Sequence, residues 1–218
     1  MALNWLLPQY QQSLLRVLYE NPSTPFHISE LARRANIDSG NTKRYIDKFA
    51  KQKLVNLKKA ANLTLVSPNF ASPEIAKVFE FFEVDRSESF LGKNQPIGES
   101  LKPLIAAILN KIDGVQMITL FGPCAKEEEG QIAQPTRFDI AIVVSNGFHA
   151  TDLNKDVSDL AKLHAPLVEI FPTVIDAKDF ESGWQRHDSF CSDLWRQRVI
   201  LYGESYFWNH VARLGVPE

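Results

Sequence analysis

Two short runs hold the residues whose types and spacing could do chemistry. The first, Ile118-Thr-Leu-Phe-Gly-Pro-Cys124, leads into Gly122, where a backbone can approach a phosphate closely. The second, Phe138-Asp-Ile-Ala-Ile-Val-Val144, carries one carboxylate, Asp139, in an otherwise apolar strand. An acid in such a strand is costly unless it is paired, hydrogen-bonded or bound to a cation. Side chains alternate along a strand, so the position sharing Asp139's face two residues on is Ala141. The chemistry on offer is therefore a phosphate at a glycine turn beside a carboxylate that holds a cation. The competing reading is structural: Asp139 is hydrogen-bonded to the Gly122 turn or paired with Arg137.

The elements that must position these groups follow from periodicity. The apolar runs at 116–121, 138–144 and 166–175 read as strands, and 101–112 and 152–164 as helices. The stretch 190–202 reads as a closing helix with Leu194, Trp195, Val199 and Leu201 on its apolar side, stopped by Gly203. Strands alternating with helices point to an α/β body. The segment 125–137, with Glu127, Glu128 and Glu129, reads as a charged loop. Trp184, Trp195 and Trp208 read as core, and His187-Asp188 has no nucleophile beside it. Upstream, helices are expected at 8–20, from Ser29 or His27, and from Ser39 or Asn41 to about Gln52. The third would bury Tyr45, Ile46, Phe49 and Ala50 and expose Lys43, Arg44, Asp47, Lys48 and Lys51. An alternating hairpin follows around 59–62, then an amphipathic helix over 72–83 with Ile75, Val78, Phe79 and Phe82. The polar stretch 85–100, punctuated by Gly92, Pro96 and Gly98, reads as a linker.

The formal charge of −2 conceals an asymmetry. Residues 1–61 carry ten Lys/Arg against four Asp/Glu, and the remainder fourteen against twenty-two. A basic head on an acidic body suggests a polyanion-binding module joined to something else. No apolar run is long enough for a bilayer, and the first residues lack a basic n-region, so no membrane partner and no signal peptide are expected. Cys124 and Cys191 are far apart and five histidines are scattered. A reduced, cytoplasmic setting without disulfide or zinc is the expectation.

Two resemblances follow from these residues. The run Ile28-Ser-Glu-Leu-Ala-Arg-Arg-Ala-Asn-Ile37, then Asn41-Thr-Lys-Arg-Tyr45 and Lys53-Leu-Val55, resembles winged helix-turn-helix transcription regulators. The resemblance implies double-stranded DNA as partner, with the third helix in the major groove. It puts Asn41, Thr42, Lys43 and Arg44 near base edges, Arg44 on guanine, and Asn41 on adenine or at the helix cap. It assigns Lys48, Lys51, Lys58 and Lys59 to phosphates, with Arg33 and Arg34 reaching the backbone. Readers of this shape commonly act as twofold dimers, and the helix over 72–83 has the stripe to pair with a copy of itself in a homodimer or, equally, to pack on its own second domain.

The second resemblance rests on Leu120-Phe-Gly-Pro-Cys-Ala125, Phe138-Asp-Ile-Ala-Ile-Val-Val144, Val168-Glu-Ile170 and the closing Arg198-Val-Ile-Leu-Tyr-Gly203. Together these resemble the minimal nucleotidyltransferase fold. In that family a Gly-Ser loop grips phosphate, and three carboxylates hold two Mg2+ ions that align a nucleoside triphosphate for in-line transfer. Gly122 and Pro123 match the nucleotide-binding pair, with proline where serine is expected. Asp139 and Glu169 match the first and third metal-binding, catalytic acids, with Leu167 and Phe171 on the face of Glu169. Ala141 stands where the second acid belongs. Proline offers neither an N–H nor a hydroxyl, and two carboxylates alone make a weak magnesium site.

The expectation is thus a two-domain α+β or α/β chain. A winged helix-turn-helix spans 1–84, a linker 85–100, and a nucleotidyltransferase-like mixed sheet flanked by helices 101–218. It would regulate transcription, with an inactive second domain that senses a nucleotide or small-molecule effector or docks a partner. One alternative is an active Mg2+-dependent nucleotidyltransferase modifying a protein or small acceptor, with an acid from the Glu127, Glu128 and Glu129 run completing the site. Another is a protein-interaction adaptor with neither activity.

Overall fold

The computed structural model describes residues 7–60, 62–93, 95–125, 137–147, 150–166 and 168–217. Among the described residues the chain is mixed α and β with two sheets, and it divides into two compact units. One comprises 1–85 with 208–216, the other 86–207 with 217–218. Among the described residues no helix is long and apolar enough to cross a membrane.

In the first unit, α1 (Gln9–Glu20) buries Leu14, Leu15, Val17 and Leu18 along one side. A two-residue strand, β1 (Phe26–His27), leads into α2 (Ile28–Ala35). The His27 ring accepts from the Ser29 N–H at the start of α2, and Asn36 closes the helix in the left-handed region at φ 54°. Helix α3 (Ser39–Lys51) is capped by Asp38, whose carboxylate accepts from the Asn41 N–H at 2.9 Å. The cap therefore precedes both expected candidates, Ser39 and Asn41. The buried stripe of α3 is Thr42, Ile46 and Phe49, spaced i, i+4, i+7, with Tyr45 and Ala50 only half-buried. Strands β2 (Val55–Ala60) and β3 (Leu63–Pro68) form an antiparallel hairpin, completing a sheet of order β1-β3-β2.

Helix α4 (Pro73–Lys93) begins in this unit. Its Phe79 and Phe82 are fully buried around Tyr19, and Trp208 meets the Phe79 ring edge-on at 4.9 Å between centroids. Trp208 also stacks on Phe70 at 6.4 Å. This aromatic cluster corrects two expectations. The stripe assigned to a homodimer is buried within its own unit, since Ile75, Phe79 and Phe82 are 0 % exposed. Residues 208–216 group with the N-terminal residues rather than with 101–218, because Trp208 fills this cluster.

The expected linker is also overturned. Helix α4 continues to Lys93 and α5 (Gln95–Lys111) follows at once. Pro96 falls in the first turn of α5, where no N–H is needed. Gly98 is no breaker either: a Cβ there would lie 2.8 Å from the Leu91 carbonyl oxygen, so the bare backbone permits close packing.

The second unit is built on a four-stranded sheet of order β6-β5-β4-β7. Its strands are β4 (Val115–Phe121), β5 (Arg137–Val144), β6 (Glu169–Asp176) and β7 (Arg198–Tyr202). Strand β4 runs antiparallel to β5 and β7; β5 and β6 are parallel, joined through α6 (Ala150–His164). One face, with Ile118, Leu120, Phe138, Ile140, Ile142 and Val174, packs with Leu101, Leu104 and Ile108 of α5 and Val157 and Leu160 of α6. Helix α7 (Ala177–Gln185) leads into α8 (Ser189–Arg196), and α9 (Glu204–Leu214) closes the chain. The expected helix over 190–202 is therefore half right in extent. It stops at Arg196, and β-branched Val199 and Ile200 take the following run into β7 beside β4.

Candidate functional site

Each unit presents one candidate site. On the first, the solvent side of α3 follows from its buried side. With Thr42, Ile46 and Phe49 turned inward, Lys43, Arg44, Asp47, Lys48 and Lys51 project together. With Gly40 they line a shallow groove of about 510 Å³. Thr42, expected at a base edge, is instead 0 % exposed, because it occupies the first position of the buried stripe. On the hairpin, Lys58 and Lys59 are both exposed, but as neighbours on one strand they point to opposite faces. Arg33 and Arg34 are engaged by Glu30 at 2.8 and 2.7 Å. Those two hydrogen-bonded guanidinium groups, Arg33 first, hold the Glu30 carboxyl down to about 2.

On the second unit, the strand register decides which groups share a face. Directly paired residues point the same way, so Phe121, Asp139 and Phe171 form one row and Thr119, Ala141 and Thr173 the next. Arg137 pairs with Glu169 in the row outside them. Asp139, Ala141 and Glu169 thus lie on one face. Gly122 turns at φ +75° beside Asp139; a Cβ there would sit 3.5 Å from the carboxylate oxygen. The Ala125 N–H donates to the Gly122 carbonyl at 3.0 Å and closes the single turn Pro123–Ala125, leaving Pro123 exposed. The Cys124 thiol donates to the Arg137 carbonyl oxygen, and burial, then the Asp139 charge, pushes its titration up.

The feature that periodicity could not order is the guanidinium. Arg137 donates to the Asp139 carboxylate from Nη2 at 2.9 Å and Nε at 3.2 Å, and lies 4.0 Å over the Phe171 ring. Its own titration is raised by the Asp139 hydrogen bond first and by the nearby Glu169 charge among lesser causes. A covalently attached cation therefore stands beside both expected metal-binding acids. Glu169 is solvent-exposed at the start of the edge strand β6. Ala141, 0 % exposed, offers no donor atom. Among the described residues no three His, Cys, Asp or Glu side chains group to hold a metal. Among the described residues, the donors Asp139 and Glu169 do not by themselves fit a pair of magnesium ions. The acids at 127–129 and Leu167 lie outside the described residues.

No family model matches the sequence, and no curated protein matches it. Among solved structures it is similar to the crystal structure of AF1382 from Archaeoglobus fulgidus, at 14 % identity and a TM-score of 0.33. That likeness covers 38 % of this chain and 96 % of the other. It is also similar to a crystal structure of a mutant toxin-antitoxin MntA-HpeT, at 18 % identity and a TM-score of 0.34. There the cover is 50 % of this chain and 80 % of the other. Likenesses of this size assign neither an activity nor a partner.

Proposed function

We propose that this chain is a DNA-binding, regulator-like protein. In this reading its first unit is a winged helix-turn-helix, and its second a nucleotidyltransferase-like domain without catalytic activity that senses a ligand or docks a partner. The observation that carries the first half is the segregation on α3: Thr42, Ile46 and Phe49 inward, Lys43, Arg44, Lys48 and Lys51 outward around one groove. A row of cations along one helix face is the electrostatic footprint of a phosphate backbone. The α1, α2, α3, hairpin order supports placing that face in a major groove. The second half is supported by Arg137 on Asp139 and by Ala141 at the place of the second acid, so that among the described residues no neighbouring carboxylate stands beside Asp139 on its strand to bridge two ions.

The test is duplex binding by the full chain at several salt concentrations, with Arg44→Ala and Lys48→Ala alongside. Lys48→Ala should weaken all duplexes alike and lower the salt slope by roughly one unit. Arg44→Ala should reduce discrimination between sequences. Absence of binding at low salt removes the reading. Turnover of a magnesium–nucleoside triphosphate by the same preparation would favour the enzyme instead.

A further inference from the structure

At the exposed start of α3, three side chains one turn apart form a chain of hydrogen bonds. One Asp38 carboxylate oxygen accepts from the Asn41 backbone N–H at 2.9 Å, and the other accepts from the Asn41 side-chain amide. The Asn41 amide oxygen in turn accepts from Nη2 of Arg44 at 2.8 Å, and the Arg44 guanidinium lies over the Tyr45 ring at 5.1 Å. The order of this chain is forced. An ionised carboxylate only accepts, so the amide must turn its NH2 toward Asp38 and its oxygen toward Arg44. The Asn41 backbone N–H, then its side-chain amide, hold the Asp38 carboxyl below its ordinary range.

We propose that Asp38 is a positioning residue for base recognition: through Asn41 it sets the direction of Arg44, and the base so read is guanine. This rests on α3 being the duplex-reading helix. Guanine presents two acceptors in the major groove, O6 and N7, which suit the remaining guanidinium donors. Asn41 gives one N–H to Asp38 and accepts once from Arg44, which ties the orientation of its amide to both neighbours. Asn41 is thus the link through which Asp38 acts on Arg44.

Asp38→Asn tests this without removing the helix cap, since Asn and Asp cap equally well. The new side chain keeps one accepting oxygen for the Asn41 N–H but replaces the other with NH2. The Asn41 amide must then turn over and present its own NH2 to Arg44, donor against donor. The measurement uses the full chain and a duplex enriched by it from a random-sequence pool, with the three base-pair changes at its most constrained G·C position. Asp38→Asn should leave the chain folded at the assay temperature, checked by its thermal midpoint, and should not weaken low-salt binding of random duplex. Its preference for the G·C pair should fall roughly tenfold. Asp38→Ser, which also caps but has no second oxygen, should lose the preference too. If wild type selects guanine and both variants match it, the positioning role is overturned while DNA binding stands. If wild type binds no duplex, or selects no guanine, the proposal falls, and only the first of these outcomes also removes the function proposed above.

Discussion

The sheet that positions Asp139 depends on one glycine at its far edge, and replacing Gly203 by alanine should be among the most damaging single-methyl changes in the chain. Gly203 ends β7 at φ +85°, where an L side chain costs roughly 1–2 kcal/mol in the left-handed region. Space adds more. A Cβ would stand 2.1 Å from the Gln116 carbonyl oxygen and 2.8 Å from the Met117 Cα, both backbone atoms of β4. Relief requires β7 to move off β4 by about an ångström, weakening one or two ladder hydrogen bonds at about 1 kcal/mol each. The expected loss is about 2–4 kcal/mol. With a urea slope of roughly 1–3 kcal/mol/M, the unfolding midpoint should fall by at least about 0.7 M. Gly147→Ala is the control. Its φ is +97°, yet nothing lies within 4 Å of the added Cβ, so it isolates the backbone cost. Urea unfolding followed by circular dichroism should rank Gly203→Ala well below Gly147→Ala. Equal midpoints for the two would refute the steric argument and with it the β4–β7 register.

Two other outcomes are expected. Arg137→Ala and Asp139→Asn should be coupled in a double-mutant cycle of stability, with coupling that shrinks in 1 M salt; additive effects would separate the two groups. Glu30 titrates at about 2 in the folded chain, below its ordinary 4.5, so its contribution is present above pH 4.5 and is lost as pH falls toward 2. Urea midpoints measured down this range should fall less steeply in Glu30→Gln than in wild type, and an unchanged slope would remove the Glu30 ion pairs as its cause.

What the sequence disclosed, and what it hid, divides along the range of the interactions. Period alone exposed Lys43, Arg44, Lys48 and Lys51 on one side of α3, because the helix is amphipathic over its whole length. It misassigned Thr42, since threonine at the start of a polar run reads as surface until the phase of the stripe is set by Ile46 and Phe49. Strand alternation was enough to place Asp139 and Ala141 on one face, and the pairing of Asp139 with Arg137 was one of the two readings open. The stacking of Arg137 on Phe171 was not legible, because it depends on the parallel register between β5 and β6. The run after Ser189 holds both helix and strand formers, and only pairing with β4 decides that Arg198–Tyr202 is extended. Gly98 looked like linker punctuation because local propensity carries no knowledge of Leu91 packed against it. Trp208 belongs with Tyr19 and Phe79 through contacts far apart in sequence.

The role proposed for the first unit stands or falls with contact between the basic face of α3 and a duplex. Amide chemical-shift mapping of the full chain during a duplex titration at low salt tests it most directly. The largest changes should fall at Lys43, Arg44, Asp47, Lys48 and Lys51 and disappear as salt is raised. Shifts confined to other elements, or none at all, would contradict it.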